Sequence, residues 1–460
     1  MNFQIIIGVM ITLVAVIALS VFSSKKANEK KSANSFVVAG AIMGTLVGGS
    51  STIGTAQLAY QYGMSAWWFT LGGGIACLIL ALLYAKPFYK SGHKTLIAFI
   101  TKEYGMKNGL MASVFSSVGS FINIISQLIA ATAVIAVIFP DLPLTPSLIF
   151  SAIIMILYIV FGGTKGSGIV GILKMFLLYV AMMATGILVL NLSGGLSGFF
   201  EKVNRIANPE NIHFYSLFAR GIGKDMGACL SLILGVITTQ SYAQSIFMAG
   251  NEKQATKGAL ISAVLISPVG IGGILVGLYM RAIHPGIIPK AALTYFVTQY
   301  MPPLFAGIVL GALFIAVVGT GAGLALGVAI VLKRDILPFL TRKFKGNVTE
   351  KILIILILML ACFLSMGPLG DTILGFAFMS MGLRGATIFV PLCFAIFCPG
   401  RVSKKYAGLS IVIGPATVLV FNLVDILPFD PLFAGVLVSC FIMMTGLLAN
   451  HFETKEIKRK

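Results

Sequence analysis

Gly44-Thr45-Leu46-Val47-Gly48-Gly49-Ser50-Ser51-Thr52-Ile53-Gly54 puts four glycines and the hydroxyl run Ser50-Ser51-Thr52 in the middle of a long apolar stretch. Each glycine weakens a helix by about 1 kcal/mol relative to alanine, so the stretch reads as an unwound segment. Inside a bilayer, open backbone groups are tolerated only where they line a cavity or bind something. The setting is a bilayer. The 460 residues are 58% hydrophobic and 10% charged, with a mean hydropathy of +1.00, whereas an average soluble chain has roughly 25% charged residues. Apolar runs repeatedly reach the roughly 20 residues needed to cross a membrane. The fold class is therefore an all-α polytopic membrane protein. A disulfide scaffold, a disordered chain and a soluble enzyme are excluded, and a membrane β-barrel would show short alternating segments instead.

Outward from that stretch, apolar runs bounded by charge or Pro/Gly clusters begin near Phe3, Phe36, Met64, Asn108, Ser147, Gly166, Met226, Gly258, Pro303, Ile352, Asp371, Ala407 and Pro431. About 13 transmembrane helices are expected. Of 33 Lys and Arg residues, one set of alternate loops holds 26 (around Lys25 to Lys31, Lys86 to Lys107, Lys165 to Lys174, Lys253 to Lys257, Lys333 to Lys351, Arg401 to Lys405 and the tail). The other set holds six: Lys202, Arg205, Arg220, Lys224, Arg281 and Lys290. By the positive-inside rule the N-terminus lies outside and the C-terminus in the cytoplasm, which implies a multi-pass protein of the cell (inner) membrane. The first run has no basic segment before it and no small-x-small cleavage site, so it reads as a retained span.

The net charge of +19 is explained by this topology. Nucleic-acid binding would want one basic face with interleaved aromatics. The six cysteines fall within or at the ends of spans without a CxxC pair, and the four histidines lie in loops or the tail, so neither disulfides nor a metal cluster is expected. Acids are scarce within the spans, only Asp371 and Asp425 touching span ends, which leaves a membrane enzyme without catalytic groups.

A second polar interruption, Leu234-Gly235-Val236-Ile237-Thr238-Thr239-Gln240-Ser241, follows about five spans after the first. Two interrupted helices, each opening a five-span unit, are the sequence sign of a five-plus-five inverted repeat with a midplane site. The expected division is residues 1–35 as a first peripheral helix and cytoplasmic loop, 36–193 as the first repeat, 194–225 as an external loop, 226–397 as the second repeat, and 398–460 as two peripheral helices and a tail. The same small residues would equally suit close helix packing.

Three motifs resemble the sodium/solute symporter family, whose core is similar to the leucine-transporter inverted-repeat fold. The first runs from Lys86-Pro87-Phe88-Tyr89-Lys90-Ser91-Gly92-His93-Lys94-Thr95 to Phe99-Ile100-Thr101-Lys102-Glu103-Tyr104-Gly105. The second is Gln240 to Gln244 followed by Ala249 to Gly258, with Ser245 where that family usually has Arg, and the third is Gly307 to Asp335. The resemblance implies alternating-access import of a small organic solute coupled to sodium, with no cofactor. It further implies sodium held by the carbonyls of Gly44 and Val47 and by Ala316, Gly319 and Thr320. Gly319 lacks the hydroxyl usual there. Where the family has Trp-Thr-Asp-x-x-Gln this chain has Ile169 to Lys174, so Gly171 replaces Asp and Lys174 replaces Gln.

Lys174 is accordingly a coupling candidate. Its ammonium either snorkels to the cytoplasmic surface or stands in for the ion, giving a sodium-independent or proton-coupled carrier. Arg384 lies thirteen residues beyond Asp371, roughly 20 Å along a helix. With no intramembrane carboxylate to pair with, its charge must meet carbonyls, water or an anionic solute. Ser116, Ser120, Asn123 and Gln127 fall on one helical face, either as interhelical hydrogen-bonding groups or as one wall of a solute path. The expected solute-binding residues are Ser50, Ser51, Thr52, Asn123, Gln127, Thr239, Gln240 and Arg384. The partners expected are a small-molecule solute and the lipid bilayer, and a solute sensor on a transporter scaffold is the alternative outside the carrier class.

Overall fold

The computed structural model describes the backbone of residues 3–27, 32–207, 211–340, 347–366, 373–424, 427 and 429–459, and its regular structure is helical apart from one isolated bridge between Ala33 and Ala249. Helix α1 (Phe3–Ala27) precedes α2 (Ser35–Leu46), which leads through a π-helical turn at Ser50–Gly54 into α3 (Thr55–Tyr62). Then come α4 (Trp68–Ile79), α5 (Ala85–Lys90), α6 (Ile97–Tyr104) and the long α7 (Met106–Ile138) and α8 (Leu144–Ser193). Helix α9 (Leu196–Asn204) is followed by α10 (Ile222–Thr238) and α11 (Gln240–Phe247), α12 (Glu252–Ile266), α13 (Val269–Ile283) and α14 (Ala292–Tyr300). The chain continues through α15 (Pro303–Val331), α16 (Leu337–Leu340), α17 (Asn347–Ser365), α18 (Ile373–Arg384), α19 (Val390–Phe397), α20 (Lys404–Val424) and α21 (Pro431–Arg459).

Among the described residues eight helical stretches are long and apolar enough to cross a bilayer, or nine with the bent pair α10 and α11 taken as one. Three shorter apolar helices, Phe3–Val16, Ser35–Leu46 and Leu144–Ile159, accompany them. Helix length alone therefore does not reproduce thirteen spans, and two junctions show why. Helical backbone passes from α3 towards α4 without a loop, turning at Gly63, whose φ of 66° favours glycine. The loop expected at Lys165 to Lys174 is also helical backbone, within α8. A straight helix of this length would reach about 75 Å. Tyr158 and Lys174, about 24 Å apart along such a helix, both approach within 3.5 Å of the position a Cβ would take at Gly319. The run therefore bends between them. Asp371 and Asp425 lie outside the described residues.

Burial separates lipid-facing from inward-facing surfaces. Phe176, Val180, Met183 and Ile187 on α8, and Leu437, Phe441, Met444 and Leu448 on α21, are exposed at helical spacing, as apolar stripes facing lipid should be. Helix α15 is buried along most of its length. It meets α1 through glycines: a Cβ at Gly8 would come within 2.4 Å of the Leu304 carbonyl, and one at Gly307 within 2.2 Å of the Ile5 carbonyl. The first two sequence motifs pack on each other. Lys86 and Lys90 pair with Glu252 at 3.5 and 3.3 Å, and Tyr89 donates its hydroxyl proton to the Gly250 carbonyl. The segment 196–225 is anchored by Arg220, which pairs with the buried Asp225 at 2.6 Å, donates to Ser65 Oγ and lies over the Phe378 ring.

Candidate functional site

Both expected interruptions are present. Helix α2 ends at Leu46, and Val47 is extended at φ −90°, ψ 106°; α10 ends at Thr238, and Thr239 is extended at φ −89°, ψ 122°. The axes of α10 and α11 differ by 46°. At the first break the hydroxyls complete the backbone. Ser51 Oγ and Thr52 Oγ1 donate to the Gly48 carbonyl at 2.9 and 2.8 Å, the Gly48 amide donates to Ser51 Oγ, and the Gly54 amide reaches the Gly49 carbonyl. Gln127 of α7 supplies the remaining partner, its Oε1 accepting from the Gly49 amide at 3.0 Å while its Nε2 donates to Ser50 Oγ and Asn123 Oδ1. Helix breaks in a membrane need such partners, and here hydroxyls three and four residues away supply them.

Two carbonyls at the end of α2 turn towards α8 and α15. Lys174 Nζ donates to the Gly44 carbonyl at 2.5 Å and to Thr320 Oγ1 at 2.7 Å, and Thr320 Oγ1 donates to the Val47 carbonyl at 3.2 Å. Lys174 is 1% exposed. Lys174 Nζ thus contacts two of the oxygens expected to ligate sodium, Thr320 links it to a third, and the snorkelling alternative does not describe it. Two glycines lie beside it. A Cβ at Gly319 would lie 3.5 Å from Lys174 Nζ. A Cβ at Gly171 would fall 2.0 Å from the Gly40 carbonyl, so α2 and α8 touch backbone to backbone one turn from the lysine. Ala316 is buried on the same helix as Gly319 and Thr320.

At the second break Thr239 Oγ1 donates to the Gly235 carbonyl and accepts from Arg384 Nη1 at 2.8 Å. Arg384 is fully buried at the end of α18. Its other protons go to Ser120 Oγ at 3.3 Å, the Ser380 carbonyl at 3.1 Å and Ser380 Oγ at 3.2 Å, all neutral oxygens. Gly119 accommodates the stem, since a Cβ there would lie 2.6 Å from Arg384 Cγ. A small cavity adjoins, with room for about one water, lined in part by Ser116, Ser117, Ser120, Thr239, Gln240 and Ser241.

The α7 stripe is buried and serves both breaks, Ser116 and Ser120 at the second, Asn123 and Gln127 at the first. Gln240 turns to the loop before α6: its Nε2 donates to the Lys94 carbonyl and its Oε1 accepts from the Leu96 amide. Two residues escaped the sequence reading. Ser126 Oγ donates to the Ile373 carbonyl and lies 3.3 Å from Ser50 Oγ, and the Tyr158 hydroxyl flanks Gly319 beside Lys174. No cluster of three or more His, Cys, Asp or Glu side chains that could hold a metal occurs among the described residues.

The sequence pattern of the sodium:solute symporter family matches residues 29–414, most of the chain. The chain belongs to that family. It is accordingly a multi-pass membrane protein, in a family of sodium:solute symporters. It is 23% identical over 376 residues to the human high affinity choline transporter 1, covering 77% of this chain and 64% of that one, and so under two thirds of that relative. It is 23% identical over 368 residues to the sodium/glucose cotransporter of Vibrio parahaemolyticus, covering 72% and 68%. A solved structure of a Na+-coupled sialic acid symporter in a substrate-bound outward-open state superposes with a TM-score of 0.76 at 17% identity, over 98% of both chains. That likeness carries the fold.

Proposed function

We propose that this family member carries a small organic solute across the cell membrane by alternating access, with the Lys174 ammonium as the resident cation at the first helix break. The observation that carries the reading is the pair of contacts from Lys174 Nζ to the Gly44 carbonyl and to Thr320 Oγ1. Those oxygens are where the family resemblance implies sodium. A hard cation and a fixed ammonium within 4 Å repel by about 4 kcal/mol at an effective dielectric of 20, so one occupant excludes the other. The solute would lie between the two breaks, with Ser50 and Gln127 at the first and Thr239 and Arg384 at the second. The inverted repeat, the thirteen spans and an external N-terminus belong to the same proposal, supported by the paired breaks and the asymmetry of basic loops.

A second reading, sodium symport, is favoured by the family match and by the sodium-coupled relatives. It requires Lys174 to leave its partners when the ion arrives. One experiment separates the two. Proteoliposomes containing the full chain are exposed to a defined mixture of small metabolites, and retained compounds are measured by mass spectrometry with and without a sodium gradient. Uptake indifferent to sodium and lost in Lys174→Ala supports the ammonium. Uptake stimulated by sodium and retained in Lys174→Ala supports the ion. No compound enriched over empty liposomes removes the carrier reading altogether.

A further inference from the structure

The guanidinium of Arg384 lies in the bundle, fully buried, and every hydrogen-bond partner recorded for it is neutral: the Ser380 carbonyl and hydroxyl, Ser120 Oγ and Thr239 Oγ1. No ion pair involves it among the described residues, whereas Arg220, just before α10, pairs with the buried Asp225 at 2.6 Å. A charge at this depth is costly unless it meets an opposite charge or a dense set of dipoles. Here four hydrogen bonds to neutral oxygens meet it, beside a cavity with room for about one water. Arg384 stands directly behind two hydroxyls, Ser120 and Thr239, that face the small cavity at the second break.

A further donor borders the same cavity: Ser117 Oγ on α7 is buried without a hydrogen-bond partner, one turn from Ser120. The cavity is also bordered by Gln240 and Ser241 in the first turn of α11, the end of a helix whose dipole favours negative charge. The protein has built around the arginine as well: Gly119 is the residue whose missing Cβ lets the stem pass, and Ser380 sits one turn before Arg384 to hold the fork. The Nη1 end of the guanidinium has its donors on exchangeable hydroxyls, rather than on a carboxylate, and is the edge at which an anion can be received.

We infer that the solute carries a carboxylate and that Arg384, with Ser117, Ser120 and Thr239, forms the subsite for it at the break between α10 and α11. This deepens the carrier reading and rests on it for the word solute, while the anion subsite stands on its own geometry. The cavity in this closed arrangement has room for about one water, so the carboxylate enters when α7, α10 and α18 part, exchanging Ser120 and Thr239 as partners of the guanidinium for its two oxygens.

The test is thermal unfolding of the purified full chain in detergent against four matched pairs: acetate and acetamide, lactate and lactamide, benzoate and benzamide, nicotinate and nicotinamide. At least one carboxylate is expected to raise the unfolding temperature while its amide does not. In Arg384→Lys, which keeps the charge but loses the fork, the same shift should need at least fivefold more carboxylate, and in Arg384→Gln it should vanish. Stabilisation by no carboxylate, equal stabilisation by a carboxylate and its amide, or a shift that survives in Arg384→Gln would each overturn the subsite. The wild-type comparison of acid with amide decides the matter even where a variant fails to fold. A neutral compound that is taken up by proteoliposomes while no carboxylate binds leaves the carrier and removes the anion subsite. A carboxylate that binds through Arg384 and is never taken up does the reverse.

Discussion

Lys174 Nζ and Thr320 Oγ1 are 2.7 Å apart, and the same threonine hydroxyl donates to the Val47 carbonyl, so a side chain from α8 and one from α15 together close the end of the unwound helix. This triangle is where the chain departs from the pattern it otherwise resembles, and it sets the first prediction.

Restoring the usual side-chain oxygens, as Lys174→Gln with Gly319→Ser, should create a sodium site. Purified double variant should bind 22Na+ in a scintillation proximity assay, whereas wild type and the single Gly319→Ser variant should not, because the ammonium still occupies the centre. Equal binding by wild type and double variant would return this position to sodium.

Gly171→Asp, the residue usual in the resembled pattern, should be poorly tolerated on its own. Its Cβ would stand 2.0 Å from a backbone oxygen of Gly40, which cannot rotate away. Overpacking of this kind costs about 1–3 kcal/mol. Differential scanning fluorimetry should show a drop of several degrees, and a smaller one for Gly171→Ala. No change in either would mean that α2 and α8 stand further apart.

Asp225 is wholly buried and pairs with Arg220. Removing one partner of such a pair is expected to cost about 3 kcal/mol, much of it from leaving the other charge alone. Asp225→Asn should therefore lower the unfolding temperature clearly, and adding Arg220→Met should recover part of the loss. A double variant no better than the single one would show that the pair matters through shape alone.

Burial, and then the nearby Lys102 ammonium, hold the His93 imidazole below its ordinary value of 6.5. The unfolded chain then binds this proton more readily than the folded one, so the stability His93 contributes is present above about pH 6.5 and lost as pH falls through its folded value. His93→Phe should flatten the pH dependence of unfolding between pH 7.5 and 5. An unchanged slope would assign that dependence to other groups.

Orientation is open to single-cysteine labelling on a background without the six native cysteines. Cysteine at Lys253 should be shielded from an impermeant reagent in intact cells, and cysteine at Lys224 should react. Both positions are exposed on the protein surface, so the opposite pattern would invert the proposed topology.

Much of this site was legible because glycine and hydroxyl residues in an apolar run have few uses. Gly48, Gly49 and Thr239 mark breaks wherever they are read, since unwinding needs weak helix formers and local oxygens. What the sequence could not apportion was which oxygens serve the backbone and which face a ligand. Ser51 and Thr52 were expected to bind solute, yet both donate to the Gly48 carbonyl, and Gln240 instead has its amide on the 94–96 backbone. The bend in α8 was hidden for a different reason. Gly162-Gly163-Thr164-Lys165-Gly166 has the composition of a loop, and composition does not distinguish a loop from helical backbone that bends. Lys174 was ambiguous on depth alone, because four methylenes reach either the interface or the bundle. The contact of Gly171 with Gly40, a fact of packing, decides which.

A cation tied to its own backbone by four methylenes has no concentration on either side of the membrane. On the proposed reading, with Lys174 Nζ staying on the Gly44 carbonyl, occupancy of that position reports no ion gradient, and the charge held there does no electrochemical work on crossing. A carrier so equipped would draw no driving force from a metal ion at that position. The one species at that position still free to leave on one side and return on the other is the lysine's proton.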